Sequence, residues 1–233
     1  MLAGSIVQVR LERKALSAAV SPTCCSGREQ RSKPAHVGSA ISMKSTLRKL
    51  LRTKRRSLGT AENRKRSQLA AQAIMRLPGF VAGARIALYL PFDGETDTAF
   101  LIQAAQRRGV CLYVPVVSDR RHRRLRFYPL TRTTRRGTFG IFVPKRLAQP
   151  RSPRWLDLII VPCVGIGAQG HRLGMGGGFY DRAFAFRRLR RCWHAPRLAG
   201  LVFDCQRVDS VFAESGDLRL DFLATESGLH TFL

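Results

Sequence analysis

Apolar positions change period along this chain, and the changes mark out its elements. Leu47, Leu50, Leu51 and Leu58 recur at helical spacing before Gly59, which predicts a first helix ended by a glycine. Thr60 caps a second helix with Leu69, Ala70, Ala73, Ile74 and Leu77 on one side. Arg85 to Pro91 is a short apolar run of the kind found in strands buried on both faces. Thr96 or Asp97 opens a third helix carrying Phe100, Leu101, Ala104 and Ala105, closed by Gly109. Val110 to Val114 reads as the next strand, Leu125 to Pro129 as an alternating strand or sheet edge, and Leu156 to Pro162, the most apolar run, as a central strand. A helix over about Asp181 to Cys192 precedes a strand from Arg197 to Phe203. Short apolar runs alternating with helices predict an α/β fold with a mostly parallel sheet covered on both faces, which binds ligands at the carboxyl ends of its strands.

Residues 1–42 lack this periodicity: they hold a few basic residues with Ser, Ala and Pro, and then Met43. They are expected to be a disordered extension, a transit-like peptide or, the preferred reading, translation from an upstream start, because the helical pattern begins directly after Met43. Residues 43–233 then form a single domain, large enough at 45% hydrophobic composition to bury one sizeable core. No stretch approaches the roughly 18 apolar residues of a membrane span, so a soluble, cytoplasmic protein is expected. Cys24, Cys25, Cys111, Cys163, Cys192 and Cys205 form no CxxC pair and no zinc spacing, which favours reduced thiols.

Chemistry concentrates in Gly170-His171-Arg172-Leu173-Gly174-Met175-Gly176-Gly177-Gly178-Phe179-Tyr180-Asp181-Arg182, just past the central apolar run. Glycines let backbone N–H groups turn toward an anion, a following helix N-terminus adds its dipole, Arg172 and Arg182 add full charges, and a carboxylate at Asp181 suits a metal ion bridging phosphates. Gly165 to Gly170 also satisfies GxGxxG, yet more glycine follows it rather than a helix, and the stretch about 20 residues on, Arg187 to Arg191, is basic where a dinucleotide site needs an acidic residue. No GxxxxGK[ST] loop occurs.

A formal charge of +26 gathers in runs at Lys44 to Arg66, Arg107 to Arg136 and Arg187 to Arg191. Such runs bind nucleic acid by counterion release, draw in anionic substrates, or simply coat solvated faces. Aromatic residues do not interleave with them as single-strand stacking requires, so nucleic-acid binding is open but not favoured.

The chain resembles the 5-formyltetrahydrofolate cyclo-ligases, or methenyltetrahydrofolate synthetases, from Met43 to about Thr225. Arg172 to Arg182 is close to that family's RLGxGxGYYDR loop, and Lys44-Ser45-Thr46-Leu47-Arg48, Leu90 through Glu95, Asp157 to Pro162, and Phe203 with Gln206 match in order. The resemblance implies a three-layer fold of the sugar-isomerase and CoA-transferase type. It also implies an ATP- and Mg²⁺-dependent conversion of 5-formyltetrahydrofolate to 5,10-methenyltetrahydrofolate by a monomer, with ADP and phosphate released. It places ATP on Lys44, Arg48, Arg172, Leu173, Gly174, Met175, Gly176, Gly177, Gly178, Phe179 and Tyr180. Folate falls to Leu90, Glu95 and Met175 through Phe179, the metal to Asp181 and Asp217, and catalysis to Arg172 and Asp181. A basic surface would also suit polyglutamylated folates. Departures are Ile166-Gly167 where many members have Phe-Asp, Phe179 in place of Tyr, and Val143-Pro144 where Glu-Pro is common.

Overall fold

The computed structural model describes residues 36–145, 148–189 and 195–232. Helix α1 (His36–Arg56) is followed by α2 (Thr60–Met75), β1 (Arg85–Ala87), α3 (Ala99–Arg107) and the long hairpin of β2 (Cys111–Asp119) and β3 (Arg124–Pro129). A two-stranded ribbon, β4 (Thr134–Arg136) with β5 (Phe142–Pro144), precedes the central strand β6 (Leu158–Val161). Then come β7 (Gly165–Gly167), β8 (Arg172–Leu173), α4 (Phe179–Ala183), β9 (Arg197–Leu201), β10 (Arg207–Val208), β11 (Phe222–Thr225) and β12 (Gly228–Thr231).

The main sheet runs β12-β11-β9-β6-β1-β2-β3. The five inner strands are parallel, while β3 and β12 close the edges antiparallel to β2 and β11. Leu156 to Pro162 thus supplies the middle strand, and Leu125 to Pro129 an edge whose Leu125 and Phe127 alternate inward. All four residues of β6 are buried: Leu158 and Ile160 meet α2 and α3 through Ala70, Ile74 and Leu101, and Ile159 and Val161 meet Leu156, Phe184 and Leu198 on the other face. Continuous apolarity in β6 follows from that two-sided cover.

Several boundaries differ from the sequence expectation. Helix α1 starts at His36, ahead of Met43. Gly59 rather than Thr60 is the cap residue of α2, and Thr98 that of α3, where the Asp97 carboxylate still accepts the Ala99 N–H at 2.9 Å. The helix expected from Asp181 to Cys192 is α4 plus a 3-10 turn over Ala185–Leu189, and its end lies outside the described residues. Three aromatic residues in this segment, Tyr180, Phe184 and Phe186, pack under the sheet, and seating them breaks the regular helix. Among the described residues Cys111, Cys163 and Cys205 are free thiols; Cys24, Cys25 and Cys192 fall outside. No described helix is long and apolar enough to cross a membrane.

From β1 the chain moves outward to β2 and β3, and from β6 it moves the other way to β9 and β11. The switch between β1 and β6 leaves a crevice beyond their carboxyl ends. Beside it a small sheet, β10-β7-β8, carries the glycine loop, and α1 packs on that sheet by burying Leu51 against Val164, Leu173 and Val211. Gly165 permits the approach, because a Cβ there would lie 2.4 Å from Leu51 Cδ1. Gly165→Ala should therefore overpack the α1 contact and destabilise the fold by about 1–3 kcal/mol. The thermal midpoint should fall by about 2–12 °C, with recovery on adding Leu51→Val. A midpoint that does not move would show that α1 yields at this point.

Candidate active site

Two loops meet at the crevice. The first follows β1 and turns through Asp93 (φ +58) and Gly94 (φ +74) to present Glu95. Three arginines of α1 hold this turn. Arg52 Nε donates to Asp93 Oδ2 at 2.9 Å, Arg55 Nη2 to the Asp93 carbonyl at 2.7 Å, and Arg56 Nε to Oδ1 at 2.6 Å. Burial by itself raises the Asp93 carboxyl, but the hydrogen bonds from Arg56 and Arg52 outweigh it and hold the group below its ordinary value. Arg55 is 1% exposed, its Nη1 stands 3.9 Å from Glu95 Oε1, and its Nε has no hydrogen-bond partner. Burial pushes Glu95 up to about 7, with Arg55 and the Phe92 N–H pulling it back down.

The second loop is the glycine segment. Arg172, on β8, is buried; its Nη2 donates to Asp181 Oδ1 at 2.7 Å and its guanidinium lies 5.4 Å from the Tyr180 ring. Gly174 leaves the room this needs, since a Cβ there would meet Arg172 Nη1 at 2.3 Å. Arg48 Nε donates to the Gly174 carbonyl at 2.9 Å. Met175, Gly176 and Gly177 are exposed at the tip. Leu173, by contrast, turns its side chain into the core with Leu51. The helix that follows is only five residues long, so the loop's positive character comes from its arginines rather than from a helix dipole.

The carboxylates join these parts. Asp181 Oδ1 also accepts the Leu218 N–H at 3.1 Å, which draws Asp217 alongside. Asp217 Oδ2 accepts from Lys44 Nζ at 2.9 Å and from the Glu214 N–H at 2.9 Å, and Glu214 Oε1 takes Lys44 at 2.8 Å. Burial pulls the Lys44 ammonium down, but the Glu214 and Asp217 hydrogen bonds outweigh it and leave it above its ordinary value. Burial likewise raises Asp217, and the Glu214 N–H and Lys44 reverse the shift. Asp181 Oδ2 and Asp217 Oδ1 stay outside these bonds. Between the two loops sits Cys163, pushed up to about 12 by burial while Arg172, Glu95, Asp181 and Arg55 all act on it electrostatically. A thiol so held is protonated at neutral pH and no nucleophile.

The structure thus brings Lys44, Arg48, Arg172, Asp181, Asp217 and the glycine loop into one network, with Glu95 across the crevice. Leu90 packs partly buried against the core at the start of the Asp93 turn. Gly165 to Gly170 forms β7 and a turn into β8, not the strand-to-helix junction of a dinucleotide site.

A model of the 5-formyltetrahydrofolate cyclo-ligase family matches residues 40–226. The chain belongs to the 5-formyltetrahydrofolate cyclo-ligase family. It is 33% identical over 183 residues to the 5-formyltetrahydrofolate cyclo-ligase of Escherichia coli K12, an alignment covering 76% of this chain and 97% of that protein. It is likewise 33% identical over 180 residues to the Haemophilus influenzae protein of the same name, covering 75% and 92%. The solution structure of Aquifex aeolicus 5,10-methenyltetrahydrofolate synthetase superposes with a TM-score of 0.68 at 29% identity, over 82% of this chain and 93% of that one. The mixed α/β architecture with its large, mostly parallel sheet is that of these synthetases.

Against this family's motifs, the departures fall in structural places. Ile166 is buried in the core and Gly167 pairs with β10, while Phe179 stands edge-on to Phe139 at 6.0 Å. Gln206, matched by resemblance, is a fastener: its Nε2 donates to the Cys163 and Val164 carbonyls and its Oε1 accepts the Phe203 N–H. Sequence reasoning missed Arg55, Asp93 and Glu214. The signal for the first two was present in the spacing of Arg52, Arg55 and Arg56 on one helix and in an Asp-Gly turn after a strand; nothing local announces Glu214.

Glu95 gives a pH test. Its value in the fold, about 7, lies above the ordinary 4.5, so the stability tied to the protonated form is complete below pH about 4.5 and is lost as pH rises through about 7. The full effect is on the order of 3 kcal/mol. Glu95→Gln should therefore gain stability over wild type as pH climbs across this window, read from denaturant midpoints. A difference that does not vary with pH would mean that Glu95 is not held protonated by burial.

Proposed function

We propose that this chain converts 5-formyltetrahydrofolate to 5,10-methenyltetrahydrofolate with ATP consumed and ADP and phosphate released. What carries the reading is the pairing of buried Arg172 with the half-buried Asp181 beside a glycine loop that Arg48 holds by its backbone, in a chain of this family. Phosphoryl transfer calls for positioning and charge neutralisation rather than a protein nucleophile, and the crevice supplies cations, backbone N–H groups and a protonated, inert Cys163.

In this reading the nucleotide phosphates lie on Met175 to Gly178 with Arg48, Arg172 and Lys44 around them. Lys44, seated between Glu214 and Asp217, exchanges those contacts for phosphate. Glu95 accepts N–H donors of the pterin and, with Leu90 and Phe179, orients the N5-formyl oxygen toward the terminal phosphorus. That oxygen takes the phosphoryl group as the bond to ADP breaks. N10 then attacks the formyl carbon and gives up its proton to solvent, and phosphate departs with the former formyl oxygen, closing the methenyl bridge.

Asp181 and Asp217 fit a magnesium ion, because each keeps one carboxylate oxygen outside its hydrogen bonds and Mg²⁺ is commonly held by one or two carboxylates plus substrate phosphates. Among the described residues no set of three metal-ligating side chains is assembled. A magnesium ion held by these two carboxylates would supply positive charge to offset that of the phosphates. We also infer a cytoplasmic monomer of the sugar-isomerase and CoA-transferase type that accepts polyglutamylated folates.

The test is the absorbance of 5,10-methenyltetrahydrofolate formed from 5-formyltetrahydrofolate. It should require both ATP and magnesium, vanish with chelator, and be unchanged on removing residues 1–42. Arg172→Ala and Asp181→Asn should lower turnover by about 10²-fold or more while leaving a cooperative melt. Full activity in either folded variant would displace these residues from the site.

A further inference from the structure

The hairpin between β2 and β3 holds cations that no carboxylate engages. Arg120, Arg121 and Arg123 form no ion pair among the described residues, because Asp119, the nearest acid, is occupied by His122: its Oδ1 accepts the His122 N–H at 2.8 Å and its Oδ2 meets Nδ1 at 2.6 Å. Arg123 ends this four-residue turn at φ +52, a backbone region that glycine enters freely and arginine does not. Its side chain runs to the glycine loop, where a Cβ on Gly178 would lie 3.1 Å from Arg123 Nη1; at the other end of the same glycine triplet a Cβ on Gly176 would lie 3.7 Å from Arg48 Cζ.

Two guanidinium groups from elements far apart in sequence thus flank one exposed run of glycines. The hairpin is held there by a second contact, since Arg120 Cζ sits 4.9 Å over the Phe139 ring and Phe139 meets Phe179 of the loop. Phe139 also has a positive φ, +61. Two non-glycine residues in the left-handed region, both at the rim of one loop, mark a place where surrounding structure enforces a local cost.

We propose that Arg123 is a phosphate-binding residue, delivered by the β2–β3 hairpin to the terminal phosphates of the nucleotide on the glycine loop and acting with Arg48 as a clamp. The proposal rests on the reading of that loop as the nucleotide site. A guanidinium suits the task because its planar fork can bind two phosphate oxygens at once.

The experiment compares the full-length wild type with Arg123→Ala, Arg123→Gly, Arg123→Lys and, from the same basic run, Arg121→Ala. Calorimetric titration with Mg-ATP and with AMP is paired with melting curves and with KM for mono- and polyglutamylated 5-formyltetrahydrofolate. Arg123→Ala and Arg123→Gly should bind ATP about tenfold or more weakly, with AMP affinity and both folate KM values unchanged. Arg123→Lys should fall between, Arg121→Ala should match wild type, and Arg123→Gly should melt no lower than wild type because it relieves the turn. ATP binding by Arg123→Ala equal to wild type overturns the clamp alone, as does an effect confined to polyglutamylated folate or an equal loss of ATP and AMP with a lowered melt. Failure of the wild type itself to bind ATP overturns the nucleotide reading and the clamp with it.

Discussion

The docking of α1 is the constraint on which the site depends. One face buries Leu51 against the small sheet that carries the glycine loop, and the same helix sends Arg52, Arg55 and Arg56 to Asp93 on the turn after β1. Lys44 and Arg48 lie further toward its start, on the carboxylates and on the Gly174 carbonyl. A single rigid strut therefore fixes the distance between the two sides of the crevice, and its fit is set by the missing side chain of Gly165. Positioning of this kind is what a reaction driven by geometry and charge neutralisation requires.

The basic composition takes a different meaning in three dimensions. Arg52, Arg55, Arg56, Arg66, Arg85, Arg172 and Arg187 all form ion pairs with internal carboxylates. Much of the first basic run thus holds the fold and the site together, and part of the third ties Asp221 to the β9 end of the sheet. The Arg55–Asp93 pair, buried on both sides, contributes mainly through geometry, because the cost of removing charges from water offsets much of its attraction. The middle run keeps its arginines exposed, and there the hairpin tip reaches the glycine loop.

Burial also sets the protonation of the crevice. Tyr89, whose hydroxyl donates to the Thr96 carbonyl, and Tyr180 are both raised by desolvation, as is Cys163. Glu95 alone among these sits near neutrality, held up by burial and pulled down by Arg55. One carboxylate at the balance point, next to tyrosine and cysteine side chains kept neutral by burial, suits a substrate that brings N–H donors.

By itself, the sequence determined the alternation of helix and strand, the central place of Leu156 to Pro162, the edge character of Leu125 to Pro129 and the chemistry of the glycine loop. These follow from local periodicity and from residue types whose backbone freedom and charge act where they stand. Tertiary structure alone decided that Arg55 backs Glu95, that Glu214 shares Lys44, that Leu173 buries its side chain in the core, and that Arg123 meets Gly178. It also cut short the helix after Asp181, because seating Tyr180, Phe184 and Phe186 under the sheet outweighs helical regularity. The physical reason is common to all of these: which side chain finds which partner depends on packing between segments more than 30 residues apart, and no pattern within either segment encodes it.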